Sequence, residues 1–187
     1  MENFDIHNIK AIIGLGNPGP KYVRHRHNIG FRIVDRLTER FGGQWRTFEH
    51  GDFSEICVNT NSDELRTHCI KLIKPNTFMN NSGLVIPLLQ KKGITSEQIL
   101  VAHDELEKPF GKLILSFGGS ARGHNGLRSI MGLIGKDFWR LRFGIGRPER
   151  KEDVSLHVLS DFNKQEVSEL DFLVDDACDI ILQQKKV

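Results

Sequence analysis

Cysteine is scarce in this chain, with three among 187 residues, at positions 57, 69 and 178. An odd and widely spaced set excludes a disulfide-dense secreted scaffold and leaves no C-x-x-C pair for a metal finger. Cys57 and Cys69 fall in strand-like stretches and Cys178 in a helical one, so all three are expected as buried, reduced thiols of a cytoplasmic protein. Long apolar runs are missing too. No stretch of eighteen apolar residues occurs, which excludes a membrane-spanning helix. The first five residues carry acids and no basic region, so no secretory leader is expected. There is no G-x-S-x-G elbow and no H-E-x-x-H, so a serine nucleophile and a helix-borne zinc lack their usual frames. Repeats, low-complexity tracts and an interdomain linker are absent as well. With 39% hydrophobic residues, one domain spanning residues 1–187 around one sizeable core is expected.

Charge is present but unevenly placed. The formal net charge is +2, yet from Glu152 to Leu182 nine acids face one base, Lys164. The rest of the chain is therefore strongly basic. A basic body with an acidic C-terminal segment suits a polyanionic partner met on one side.

Hydrophobic periodicity gives the elements. Lys10 to Leu15 is a short apolar run ending in glycine, read as a buried strand. Ile29, Ile33, Leu37 and Phe41 form one stripe of a helix closed by Gly42-Gly43. Phe53 to Val58 and Leu65 to Ile73 read as two strands around a polar turn at 59–64. Leu84 to Gln90 reads as a helix with Pro87 kinking it or marking its first turn. Ile99 to Ala102 is a buried strand stopping at His103-Asp104. Leu113 to Phe117 is a strand before a glycine-rich loop, Gly118 to Gly126, with a helix from about Leu127. Leu141 to Ile145 is strand-like. Val167, Leu170, Val174, Ala177 and Ile181 line a last helix, opened by an Asn163–Glu166 capping box. The alternation predicts a three-layer α/β domain with a central mixed β-sheet.

Gly14-Leu15-Gly16-Asn17-Pro18-Gly19 matches G-x-G-x-x-G after a strand. A dinucleotide site needs a helix opening inside that motif, and Pro18 and Pro20 delay the helix to about His27. The acids near the expected offset, Asp35 and Glu39, lie inside a helix. Two readings remain: a tight turn needing glycine dihedrals, or a turn holding Asn17 at a strand's C-terminal edge, where α/β proteins place ligands. Tyr22 to Gly30 (YVRHRHNIG) gathers histidines and arginines. A neutral imidazole can take a proton from water near pH 7 and arginines can hold phosphate. A solvated basic loop fits the same letters. His25 and His27, two apart, are a weak metal pair. Asp104 ends an apolar run, where an acid can orient a histidine from another loop or cap a helix. Asn80 and Asn125 each stand at a helix start. Either could be an N-cap or could steady water or an oxyanion with an uncharged carboxamide. Histidine, aspartate and several asparagines fit direct attack by water better than an acyl-enzyme.

Five blocks then stand in order: GLGNPGPKY with RHNIGF (14–31), KPNTFMNNSG (74–83), ILVAHDEL (99–106), GGSARGHNGL (118–127) and LRFGIGRP (141–148). Together they resemble the bacterial-type peptidyl-tRNA hydrolase family over most of the chain from Ile12 to Pro148. The resemblance implies a phosphorylase/hydrolase-like fold and cleavage of the ester between an N-blocked peptide and the 3′ end of tRNA. It implies His27 as the base that activates water, Asp104 as its hydrogen-bonding orienter, and Asn17 as the contact to the peptide beside the ester. It implies substrate contacts for Asn80 and Asn125, a pocket shaped by Tyr22, Phe78 and Met79, and Arg142 near the tRNA phosphates. It implies no metal or organic cofactor, no membrane, a cytoplasmic monomer, and peptidyl-tRNA as partner. A non-catalytic RNA-binding protein of the same fold is the alternative. The chain departs from the family pattern in three places. His25 stands where threonine is usual, Ala121-Arg122 where the loop usually carries a histidine, and Leu115-Ser116-Phe117 where a phosphate-binding lysine is common. Lys112 and Arg122 are the available substitutes.

Overall fold

The computed structural model describes residues 3–59 and 67–183. The polar turn expected at 59–64 and the start of the following strand at Leu65 lie almost wholly outside them. Seven strands form one sheet: β1 (Ala11–Gly14), β2 (Arg46–Phe48), β3 (Gly51–Asn59), β4 (Thr67–Pro75), β5 (Ile99–Glu105), β6 (Leu113–Phe117) and β7 (Trp139–Gly144). Their order is β2-β3-β4-β1-β5-β7-β6. The inner four are parallel, and β3, β2 and β6 join antiparallel. The mixed sheet is as the sequence predicts. The chain fills one side of the sheet after β1 and the other after β5, so the direction of winding reverses between these two strands. In open α/β sheets ligands bind outside the carboxyl ends of strands at such a point.

Every residue of β1 and β5 is buried, because helices cover both faces. Ile12, Leu72 and Leu100 pack on one face with Ile33 and Leu37 of α1 (Ile29–Arg40) and Val174 and Ala177 of α5 (Lys164–Ile181). Ile13, Ile73 and Val101 pack on the other with Ile86 and Leu89 of α2 (Ile86–Lys91) and Ile130 of α3 (Asn125–Ile134). At the start of α1 the backbones touch. A Cβ on Gly14 would meet Gly30 O at 2.3 Å, and one on Gly30 would meet Ala102 O at 2.3 Å. Glycine at both positions lets the first turn of α1 sit against the ends of β1 and β5.

Several local expectations are corrected. β5 does not stop at His103. It runs to Glu105, because His103, Asp104 and Glu105 pair with Arg142, Phe143 and Gly144 of β7. The stretch before Pro87 is a 3-10 turn over Met79–Val85 rather than part of the helix, while Pro87 marks the first turn of α2, one of the two expected places. Strand β2 and the short helix α4 (Val154–Val158) have too few residues to show a period. The α5 capping box is formed, although Val167 is exposed rather than part of the apolar face.

The cysteines are also corrected. Cys57 and Cys69 are exposed and stand directly opposite each other across β3 and β4. They are joined as a disulfide, since this register sets both side chains on one face of the hairpin. Cys178 alone is the expected buried thiol, and burial pushes it up to about 12.

Candidate active site

The Gly14–Gly19 turn leaves β1 and places Asn17 over the sheet edge. Asn17 is 7% exposed and is fixed from three sides. Its N–H donates to Asn28 Oδ1 (2.9 Å), its C=O accepts from Asn28 Nδ2 (2.9 Å), and its Oδ1 accepts from the Met79 N–H (2.8 Å). That leaves the Asn17 Nδ2 group to offer outward. Asn28 is a site residue that the sequence reading missed. It follows His27 directly, so the loop carrying His27 is bonded to the loop carrying Asn17.

His27 sits in a 3-10 turn over Arg26–Asn28. The turn is anchored by Arg26, which is buried and donates to Ser160 Oγ (2.7 Å), Asp161 O (2.6 Å) and Glu166 Oε2 (2.6 Å). The arginines here were read as possible phosphate ligands. Both terminal nitrogens of Arg26 are instead bonded inside the protein, and Arg24 pairs with Asp161 at 3.4 Å.

His27 Nδ1 lies 2.8 Å from Asp104 Oδ1. An ionised carboxylate only accepts, so His27 carries its proton on Nδ1 and the lone pair on Nε2. A second histidine meets the same oxygen: His124 Nε2 is 3.0 Å away. His124 Nδ1 accepts from the N–H groups of Gly126 (3.1 Å) and Leu127 (3.3 Å), which places its proton on Nε2, toward Asp104. His124 is thus both the N-cap of α3 and a second clamp on Asp104. The sequence left Asn125 open between an N-cap and a substrate contact, because asparagine is a usual cap and histidine is not. The signal that existed was His124 itself, standing directly before the residue that opens the helix.

Two charges meet in a dry place. Burial opposes ionisation of Asp104, but His27 and His124 outweigh it and hold Asp104 well below the usual carboxylate range. Burial likewise pulls His27 down, and the charge and hydrogen bond of Asp104 more than offset it. The net effect raises His27 above its ordinary 6.5. His103 is different: burial, with His124 beside it, pushes it down to about 3, so it stays neutral and donates from Nδ1 to Asp104 O (2.7 Å).

One ring nitrogen each of His27 and His124 and one oxygen of Asp104 lie within 4.8 Å of one another, close enough to suggest a metal. The hydrogen bonds argue otherwise. An ion there would have to displace the proton from His124 Nε2 and break the bonds its Nδ1 accepts from α3.

Beside His27 and Asp104 opens a cavity of about 370 Å³ whose wall also includes Asn125 and the cations Arg122, Arg140, Arg142, Arg147 and Lys151. Arg142 faces Glu105 at 3.8 Å. Arg140 is fully buried and donates to Gly119 O (2.7 Å) and Ser120 O (2.8 Å), holding the glycine loop in place. In that loop Arg122 adopts φ 44°, a conformation non-glycine residues rarely take. Of the other expected residues, Met79 is buried and bonded to Asn17. Tyr22 and Phe78 form an edge-to-face pair 6.1 Å apart, with Phe78 55% exposed. Asn80 is exposed, its carboxamide 3.4 Å from Asn81. Tyr22, Phe78 and Asn80 line neither this cavity nor a smaller one beside Asn17.

Comparison with known proteins gives one answer. A family model described as peptidyl-tRNA hydrolase matches residues 11–186. A peptidyl-tRNA hydrolase of Pelagibacter ubique is 42% identical over 178 residues, covering 94% of this chain and 92% of its own. One of Halorhodospira halophila is 44% identical over 174 residues, covering 92% and 87%. The crystal structure of peptidyl-tRNA hydrolase from Acinetobacter baumannii superposes with a TM-score of 0.83 at 39% identity, covering 97% of this chain and 93% of that one.

Proposed function

Since this chain belongs to the peptidyl-tRNA hydrolase family and hydrolyses peptidyl-tRNA, we propose that His27 is the base of the reaction. Its Nε2 takes a proton from water as the water oxygen attacks the ester carbonyl. The imidazolium that forms is stabilised by Asp104, which also keeps the ring in the required tautomer. The carbonyl oxygen gains charge and is steadied by carboxamide donors, Asn17 Nδ2 from one side and Asn125 from the other. Collapse breaks the bond to the ribose 3′ oxygen, which receives the proton back from His27. The reading uses no metal and no organic cofactor.

The single observation that carries this is the 2.8 Å bond between His27 Nδ1 and a buried Asp104, in a ring that lines the larger cavity. Charge on the wall of that cavity supports placing the tRNA end there, with Arg122 and Arg142 toward phosphate. Met79 bonds Asn17, and Phe78 beside it pairs with Tyr22; this group is assigned to the junction where the terminal base meets the peptide at the ester, with Asn80 on the same turn. A monomer is our reading from the family resemblance. The one sheet through the described residues supports a single domain. No described helix is long and apolar enough to cross a membrane, and a cytoplasmic place beside translation is our reading.

The test compares N-acetyl-aminoacyl-tRNA with the same tRNA bearing a free amino acid. Cleavage of the former alone is expected. In His27→Ala, kcat should fall by about 10²–10⁴-fold while the protein stays folded at the assay temperature. Full activity in that variant would sink the mechanism. Binding of tRNA without cleavage by the wild type would favour an RNA-binding role.

A further inference from the structure

A second cavity, of about 230 Å³, opens on the far side of Asn17 and is walled in part by Arg32 and Asp35 of α1, Asp52 of β3 and Lys74 of β4. Of these four charged groups, three have close partners. Lys74 Nζ is 2.6 Å from Asp35 Oδ1 and lies over the Trp45 ring at 4.2 Å. Asp52 Oδ1 accepts from the Thr47 hydroxyl at 2.7 Å. Arg32 is the exception. Its Nη2 makes one long bond, 3.3 Å, to Val23 O, and its Nε is buried without a partner. The nearest acids on its other side, Asp161 and Asp171, attract it at longer range but pair with Arg24 and Arg36.

The substrate is a chain with a nucleotide on one side of the ester and a peptide on the other. If the nucleotide end lies in the cation-rich cavity with His27, the peptide must leave past Asn17, and the second cavity lies there. Arg32 stands one helical turn beyond Asn28, the residue that clamps Asn17. The cavity has room for one side chain. A carboxylate entering it meets guanidinium donors that are still unfilled. A basic side chain finds Asp35 already paired with Lys74 and meets the charge of Arg32, with Asp52, bonded on one oxygen to the Thr47 hydroxyl, as the one acid it could reach.

We propose that this cavity is a peptide subsite, and that Arg32 there favours an acidic side chain on the residue preceding the ester-linked one. The proposal rests on the function given above and adds a specificity to it.

The test uses four substrates on one tRNA with one ester-linked amino acid X. They are N-acetyl-X, N-acetyl-glutamyl-X, N-acetyl-glutaminyl-X and N-acetyl-lysyl-X. Values of kcat/KM are taken relative to N-acetyl-X, so that a general loss of activity in a variant cancels. In the wild type the glutamyl substrate should exceed the lysyl one by about five- to tenfold, mainly through KM, as expected for a charge-assisted contact partly open to solvent. Arg32→Gln should level the series and Arg32→Glu should invert it. The same order in Arg32→Glu as in the wild type overturns the subsite, as does a wild type that cleaves all four equally. A wild type that fails to cleave even N-acetyl-X overturns the catalytic reading, and the subsite falls with it.

Discussion

Asp104 accepts from two histidines with one oxygen, and that arrangement sets the pH response of the enzyme. His27 must be neutral at Nε2 to take a proton. Its folded-state value is raised, so kcat/KM should fall as pH drops through a midpoint above 6.5, the ordinary histidine value. Asp104→Asn removes the charge that raises His27, which leaves burial to act alone. The midpoint should move to lower pH, while the plateau drops by at least about 10²-fold as the tautomer is lost. A kcat/KM profile over pH 5 to 9 measures both, and an unshifted midpoint would remove Asp104 from the role. At this scale His27, Asp104 and Asn17 were legible through the resemblance of their blocks, since singly each also fitted a basic loop, a helix cap or a tight turn. Asn28, Arg26 and His124 were not. Their importance lies in bonds to residues 11, 134 or 20 positions away, and no local pattern records such distances.

Among the elements, the hairpin of β3 and β4 separates structure from chemistry. The Cys57–Cys69 bridge lies six residues from Gly51 and Pro75, the paired residues nearest the site. At about 3.3 Å per residue that is roughly 20 Å away. Replacing both cysteines with serine should leave kcat/KM within about twofold. In the oxidised protein it should lower unfolding free energy by about 2–4 kcal/mol. Urea denaturation and the cleavage assay check the two halves, and a large loss of activity would tie the hairpin to catalysis. The bridge was hidden in the sequence because pairing needs register, and register depends on a turn whose residues give no firm count. The same limit explains β5. Its apolar letters end at Ala102, but the ladder with β7 carries the strand through three polar residues, and that extension sets Asp104 at the sheet edge. Long elements with a full period, α1 and α5, were found nearly to the residue.

For the molecule as a whole, the uneven charge seen in the sequence has a definite spatial meaning. The acids of α5 do not cover a groove. Asp171, Asp175 and Asp179 bond Arg36 and Arg40 of α1, and Glu166 bonds Arg26. The acidic segment thereby neutralises the cations on the sheet face opposite α2 and α3. The cations left around the larger cavity are Arg122, Arg140, Arg142, Arg147 and Lys151, of which Arg140 holds the glycine loop and Arg147 pairs with Glu107. Where a relative would offer lysine, Ser116 is half-buried in β6 and cannot serve. Arg122 is exposed and is held by its loop in a conformation that costs about 1–3 kcal/mol, which is the kind of strain found where a side chain must be presented. Phosphate contacts release counterions, so log(kcat/KM) under subsaturating tRNA should fall linearly with log salt. Arg122→Gln should make that slope shallower by about 0.7–0.9, one contact's worth, and should weaken every tRNA alike. If the slope is unchanged while kcat/KM falls, Arg122 acts on the glycine loop rather than on phosphate, and the missing cation must be sought at Lys112 or Lys151.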